Sequence, residues 1–195
     1  MKARQGGVLV LHPWWGLNDD IKAAGAKLQR LGYTVESPDL YDGRVAGEIP
    51  AAEGMMKTLD RPATRAKIDV AVDRLRPSGP IAVVGWSMGA SYGWDLAERR
   101  PGIISAMVAY YGGYDPDAGE WLPPLLGHFA EHDEETVDDL RATEKRLVAA
   151  GRRVTFEIYP GTKHWFDERS RPEYDAAASA LAWSRTVAFL GERLA

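Results

Sequence analysis

Residues Gly85-Trp86-Ser87-Met88-Gly89 set one serine between two glycines, directly after the apolar run Ile81-Ala82-Val83-Val84. A strand that runs into Gly-x-Ser-x-Gly and then a helix is the sequence form of a nucleophile elbow. The turn is tight enough that side chains two residues before and after the serine have no room, a demand that glycine meets. The Ser87 hydroxyl is then expected at the carboxyl edge of a sheet, beside a helix read as Ser91 to Arg100. These features point to a serine hydrolase. The bland alternative is a glycine-rich strand-to-helix turn that only packs tightly.

A serine hydroxyl is a weak nucleophile near neutral pH and needs a base within hydrogen-bond reach. Four histidines are candidates. His164 lies in Tyr159-Pro160-Gly161-Thr162-Lys163-His164-Trp165-Phe166, a loop expected after the last strand. It also comes last, in the chain order Ser, acid, His of α/β-hydrolases, so His164 is the expected base. His128 falls within a strand and reads as a packing residue, His132 as partly exposed, and His12 as shaping a pocket rather than catalysing. The acid should follow the preceding strand, Pro124 to Ala130, in the loop Glu131-His132-Asp133. Asp133 is the first choice and Glu131 the fallback; its task is to hold the imidazole tautomer and stabilise the imidazolium. Asp138 and Asp139 are better explained as acids favoured in the first turn of a helix.

The tetrahedral intermediate needs donors at its oxyanion. One is the backbone N–H of Met88, the residue after the nucleophile. The second is expected from His12-Pro13-Trp14-Trp15-Gly16; Pro13 has no N–H, which leaves Trp14 first and Trp15 second. Seven tryptophans are many for 195 residues. Trp14, Trp15, Trp86 and Trp165 lie in or beside the catalytic loops, while Trp183 belongs to a helix stripe. Trp15, Trp86, Trp165 and Phe166 are expected to line a substrate pocket, which favours an uncharged or aromatic ester.

These loops need a frame. Short apolar runs at 7–12, 33–37, 81–84, 103–110, 125–130 and 154–159 alternate with helical segments. Asn18-Asp19-Asp20 caps a helix with Ile21, Ala24, Leu28 and Leu31 on one face. Further helices carry Ile68, Ala71, Val72 and Leu75; Val137, Leu140, Leu147 and Val148, ending at Gly151; and Ala176, Ala180, Trp183, Val187, Leu190 and Leu194. Residues 41–60 show no clean period and read as a pocket-wall loop with room for one short helix. The alternation implies one α/β domain over 1–195, with a mainly parallel sheet of six or seven strands and helices on both faces. Binding sites in such sheets lie beyond the carboxyl ends of the strands.

Composition narrows the partners. A net charge of -4 and a pI near 5.6 argue against a nucleic-acid or anionic-membrane surface. The pairs Arg99-Arg100, Lys145-Arg146 and Arg152-Arg153 read as solvated faces. The absence of cysteine removes disulfides, thiolate ligands and a cysteine nucleophile together. No run approaches the roughly 20 apolar residues of a membrane span, and no signal peptide is read. A cytoplasmic monomer or homodimer, needing neither metal nor cofactor, is expected.

Taken together, His12 to Gly16, Ser37-Pro38-Asp39-Leu40-Tyr41, Gly85 to Ala90, Leu126 to Asp133 and Tyr159 to Phe166 resemble the dienelactone hydrolase family of α/β-hydrolases. The resemblance implies Ser87, Asp133 and His164 as triad and Trp14 and Met88 as oxyanion donors. Three positions depart from the family pattern. Ser87 stands where the namesake enzymes have cysteine, Pro13 where they have a glutamate that primes the thiol, and Glu168 where they have a carboxylate-gripping arginine. Arg169 is adjacent but not equivalent, so dienelactone itself is not the expected substrate. The first strand also lies near Met1, without the extra N-terminal strands of longer relatives. The expectation is a compact serine carboxylesterase. Runners-up are acyl transfer or thioester or amide cleavage by the same triad, and a non-catalytic ligand binder; a dehalogenase would want aspartate in place of Ser87.

Overall fold

The computed structural model describes residues 6–112 and 119–194. Six strands form a single sheet: β1 (Gly7–Leu11), β2 (Thr34–Glu36), β3 (Ile81–Trp86), β4 (Ala106–Tyr110), β5 (Leu125–His132) and β6 (Val154–Lys163). Their order is β2-β1-β3-β4-β5-β6, and every neighbouring pair is parallel. The helices are α1 (Asp19–Arg30), α2 (Ile49–Lys57), α3 (Arg61–Leu75), α4 (Met88–Arg99), α5 (Val137–Ala149) and α6 (Ala176–Arg193).

Alternation along the strands sorts the core into two layers. Leu9, Leu11, Ile81, Val83, Met107 and Ala109 face α3, α4 and α5. Val8, Val10, Ala82, Val84, Trp86, Val108 and Tyr110 face α1 and α6. Both faces of β1, β3 and β4 are therefore buried, which is why these strands read as continuous apolar runs.

The order of the strands places the site. From β1 the chain steps outward to β2, then returns past β1 to β3 and proceeds the other way to β6. Successive connections thus leave β1 and β3 in opposite directions, opening a crevice at their carboxyl ends. The loop His12 to Gly16 leaves β1 there, and Ser87 leaves β3.

Several boundaries differ from expectation. α4 begins at Met88, because the elbow passes straight into the helix without a linking turn. β4 begins at Ala106 rather than at Ile103. β5 extends through His132, and β6 runs on through Pro160 and Gly161 to Lys163, past a register shift between Ala130 and His132. Residues 41–60 contain α2, whose Ala52 and Met55 pack with Trp15, Tyr41 and Ala46 in a satellite cluster. The buried stripe of α6 is Ala178, Ala182, Thr186 and Leu190, while Ala176 and Ala180 are exposed. Thr186 is tolerated inside because its hydroxyl bonds Tyr110 Oη at 2.8 Å and His128 Nε2 at 3.0 Å. Val148 points outward. Arg99 and Arg100 are not simply solvated: they pair with Asp69, Asp73 and Asp95, tying α4 to α3.

Candidate active site

The elbow is built by close approach. Ser87 adopts φ 48° and ψ -114°, a strained conformation worth about 1–3 kcal/mol that must be imposed by its surroundings. Ser87 N–H donates to the Tyr110 carbonyl at 2.9 Å, and Ser91 N–H donates to the Ser87 carbonyl at 3.2 Å. A Cβ on Gly85 would come within 2.6 Å of the Ala90 nitrogen, and one on Gly89 within 2.2 Å of the Leu11 carbonyl oxygen. Both obstacles are backbone, so neither can move aside cheaply. Gly89→Ala is expected to cost about 3 kcal/mol or more of stability. Thermal denaturation checks this, at about 2–4 °C per kcal/mol for a chain of this size. Gly54→Ala, in α2 where a Cβ meets nothing within 4 Å, should leave the midpoint unchanged or raise it.

Three residues separated in sequence meet at this elbow. The Ser87 hydroxyl lies 3.1 Å from His164 Nε2, and His164 Nδ1 lies 2.8 Å from each carboxylate oxygen of Asp133. A carboxylate only accepts, so Nδ1 carries the hydrogen and Nε2 is free to accept from Ser87. The Asp133 side chain is 4% exposed and that of the neighbouring His132 is 61% exposed. Glu134 N–H also donates to Asp133 Oδ1 at 2.8 Å, fixing the carboxylate from behind. Glu131 faces away from this chain of bonds and accepts from Gly161 N–H at 2.7 Å.

Met88 N–H is the first amide of α4, and amides of a first helical turn have no intrahelical acceptor. The helix dipole adds partial positive charge at the same point. The Met88 side chain is held by Tyr41, whose hydroxyl donates to Sδ at 3.3 Å. Burial pushes the Tyr41 pKa up to about 12, which keeps that donor protonated.

A cavity of about 540 Å³ opens beside Ser87. Trp14, Met88, Tyr111, Gly112 and His164 line it together with Ser87; Met56, Leu59 and Tyr92 supply apolar wall, and Arg61, Asp95, Glu134 and Glu135 supply charge. Asp95 is already held by Arg65 and Arg99, and Arg61 lies 3.7 Å from it. Burial raises the Glu135 pKa above the usual carboxylate range.

The expected aromatic pocket is not the one found. Trp86 points to the α1–α6 side of the sheet, where its indole N–H donates to Asp167 at 2.8 Å. Phe166 is fully buried in the same layer. Trp15 is buried in the satellite cluster, with the Arg171 guanidinium 3.8 Å from its ring centre. Trp165 stacks on Trp14 at 5.9 Å and meets the His164 ring edge-on at 5.2 Å, so it backs two lining residues without lining the cavity itself. The wall residues Tyr111 and Gly112 follow β4, so the strand-end rule alone could have found them. Met56, Leu59, Arg61, Tyr92 and Asp95 come from helices and their connection, where no local signal separates a cavity wall from ordinary packing.

Behind the site lie buried polar groups. His128 bonds Tyr159 Oη and Thr186 Oγ1, and burial lowers its pKa to about 3, so it is a neutral packing residue as expected. Glu168 accepts from the Tyr111 hydroxyl at 3.1 Å and from Asn18 Nδ2 at 3.4 Å. Burial outweighs both bonds and raises its pKa from 4.5 to about 8. Asp167, also buried, is raised to about 6.

Glu168 carries a stability prediction. Between pH 4.5 and about 8 the unfolded chain gives up a proton that the folded chain keeps. Stability therefore falls as pH rises through that window, by about 1.4 kcal/mol per unit, and levels off above it. Glu168→Gln, whose amide oxygen still accepts from Tyr111, should melt higher than wild type at alkaline pH and close to it at pH 4.5 or below. Paired thermal melts across pH check this.

Among the described residues, no group of three or more His, Cys, Asp or Glu is placed to hold a metal ion, and no helix is long and apolar enough to cross a membrane.

A parallel α/β sheet with an elbow serine at its switch point defines an α/β-hydrolase. The sequence profile of the Dienelactone hydrolase family matches residues 1–194, and the chain belongs to that family. It is 30% identical over 205 residues to protein usf of Aquifex pyrophilus, covering 96% of this chain and 88% of that one. Carboxymethylenebutenolidase 1 of Cupriavidus pinatubonensis is 24% identical over 200 residues, covering 94% and 84%. Among solved structures, a dienelactone hydrolase-like promiscuous phosphotriesterase from metagenomic libraries superposes with a TM-score of 0.78 at 20% identity, over 100% of this chain and 89% of that one.

Proposed function

We propose that this hydrolase cleaves carboxylic esters through an acyl-enzyme on Ser87. Ser87 Oγ attacks the ester carbonyl carbon while its proton passes to His164 Nε2. The carbonyl electrons move onto oxygen, which the Met88 and Trp14 backbone N–H groups receive. Collapse expels the alcohol, which takes the proton from His164. Water then repeats the sequence on the acyl-enzyme, releasing the acid and restoring Ser87. Asp133 holds the His164 tautomer and stabilises the imidazolium without itself accepting the proton. The observation that carries this reading is the unbroken run of bonds Asp133–His164–Ser87 at 2.8 and 3.1 Å, mounted on a strained elbow.

The relatives' names, carboxymethylenebutenolidase and dienelactone hydrolase, support hydrolytic chemistry of this kind. The substrate we favour is a small, uncharged ester. Glu168 occupies the arginine position of the resemblance and is buried on Tyr111, and among the described wall residues Asp95, Glu134 and Glu135 are acidic against the single Arg61. Among the described lining residues, the one Lys or Arg a substrate carboxylate would meet is Arg61, which already lies beside Asp95. A panel of p-nitrophenyl esters tests this. Neutral short-chain acyl groups should be hydrolysed with kcat/KM at least tenfold above dicarboxylate half-esters of equal length. Equal or reversed preference would refute the substrate class, and an inert enzyme would refute the ester reading.

A further inference from the structure

His12 takes no part in the triad and does not border the cavity, yet it is fully buried with both ring nitrogens occupied. Leu40 N–H donates to Nε2 at 3.0 Å, and the Pro13 carbonyl oxygen lies 2.7 Å from Nδ1. A backbone N–H only donates and a carbonyl only accepts. The two contacts together therefore admit one state of the ring, neutral with its hydrogen on Nδ1. Burial, the largest influence on this group, lowers its pKa and favours the same neutral form.

The carbonyl that His12 grips belongs to the peptide unit that carries the Trp14 N–H. A planar trans peptide points its C=O and N–H in opposite directions, so fixing the oxygen fixes the direction of the hydrogen. Gly16 N–H donates to the same carbonyl at 3.1 Å and closes the turn. The loop also lies hard against the elbow, since a Cβ on Gly89 would fall 2.7 Å from the His12 carbonyl oxygen. Trp14, Met88 and Ser87 then share one cavity. Through Leu40, the ring also anchors this loop to the Ser37–Tyr41 segment, whose Tyr41 holds the Met88 side chain. Both expected oxyanion donors are thus braced from one buried region.

We infer that His12 is a positioning residue for oxyanion stabilisation: its Nδ1–H holds the Pro13 carbonyl so that the Trp14 N–H is aimed at the developing oxyanion. The inference rests on the serine-esterase reading above. Loss of this bond leaves the Trp14 amide present, with its carbonyl held by the longer Gly16 bond and no longer by His12, so the change should act on the transition state and spare substrate binding. Misplacement by about 1 Å can cost on the order of 100-fold in rate.

Two substitutions separate this role from mere packing. An asparagine amide nitrogen reaches the place of Nδ1, whereas a glutamine amide reaches the place of Nε2. With p-nitrophenyl acetate, His12→Gln should lose roughly 10- to 100-fold in kcat with KM within about twofold of wild type. His12→Asn should recover kcat to within about threefold of wild type. A trifluoromethyl ketone, which adds to the serine as a tetrahedral oxyanion, should lose affinity in His12→Gln by about the factor lost in kcat. An unchanged kcat in a folded His12→Gln, an Asn variant as poor as Gln, or a change confined to KM overturns the inference. Should the variants fail to fold, nitrogen NMR of the wild-type ring decides: hydrogen on Nδ1 supports it and hydrogen on Nε2 overturns it. A wild type inert toward the ester defeats the esterase reading and this inference with it. An active wild type indifferent to His12→Gln defeats this inference alone.

Discussion

Ser87→Ala is expected to lower kcat by roughly 10⁵- to 10⁶-fold while leaving the fold and its melting temperature nearly unchanged. On the proposed mechanism the hydroxyl forms the acyl bond, and it lies 3.1 Å from His164 Nε2. The backbone at position 87 already has φ 48°, and alanine meets the same steric demand there as serine. Stability should therefore hold while chemistry fails. Some rate above the uncatalysed reaction should survive if the Met88 and Trp14 amides are the proposed oxyanion donors, because they and the cavity would still bind the developing charge. Steady-state hydrolysis of p-nitrophenyl acetate, with a thermal melt as control, measures both halves of the statement. A loss below about 100-fold would contradict Ser87 as nucleophile.

Asp133→Asn should cost about 10⁴-fold in kcat, again without gross loss of structure. An asparagine oriented to donate toward His164 Nδ1 forces the hydrogen onto Nε2, which then faces Ser87 as a donor and cannot take its proton. The carboxylate is almost wholly shielded from solvent, so water is poorly placed to substitute for it. Glu131→Gln is the matched control. Glu131 accepts from Gly161 N–H on an exposed part of the strand end, and its loss should change kcat by less than about threefold. If the two variants behaved alike, the choice of Asp133 over its fallback would be wrong.

The meeting of Ser87, Asp133 and His164, the trio proposed as catalytic, was legible because each member follows a strand whose hydrophobic run is plain. Ser87 follows β3 and Asp133 follows β5, while His164 directly follows β6. In a parallel sheet all such ends share one edge, so three distant residues converge without any signal linking them directly. The glycines of the elbow were equally readable, because the backbone contacts at Gly85 and Gly89 leave no alternative residue.

What escaped the sequence has physical causes. Trp86 is adjacent to the nucleophile in sequence, but strand alternation sends it with Ala82 and Val84 to the opposite layer. Adjacency in a strand is a reason to expect opposite faces, so proximity to Ser87 was a poor guide to the pocket. The wall formed by Met56, Leu59 and Tyr92 is apolar on helical and connecting segments, a composition shared with any packed face. Thr186 hid the inward stripe of α6 because a threonine breaks the apolar period; only the partners Tyr110 and His128 explain it. β6 runs through Pro160-Gly161, a dipeptide that reads as a turn, because it is an edge strand where a missing N–H is tolerated. His12 was read as shaping a pocket; it lies behind the cavity and touches the Pro13 carbonyl of its own loop and the Leu40 N–H instead.

The most direct measurement is intact mass after treatment with a fluorophosphonate, followed by peptide mapping. The account predicts one phosphonyl adduct per chain, carried by Ser87, with none on the Ser87→Ala protein. A wild type that stays unmodified, or a Ser87→Ala protein that labels as readily, would contradict it.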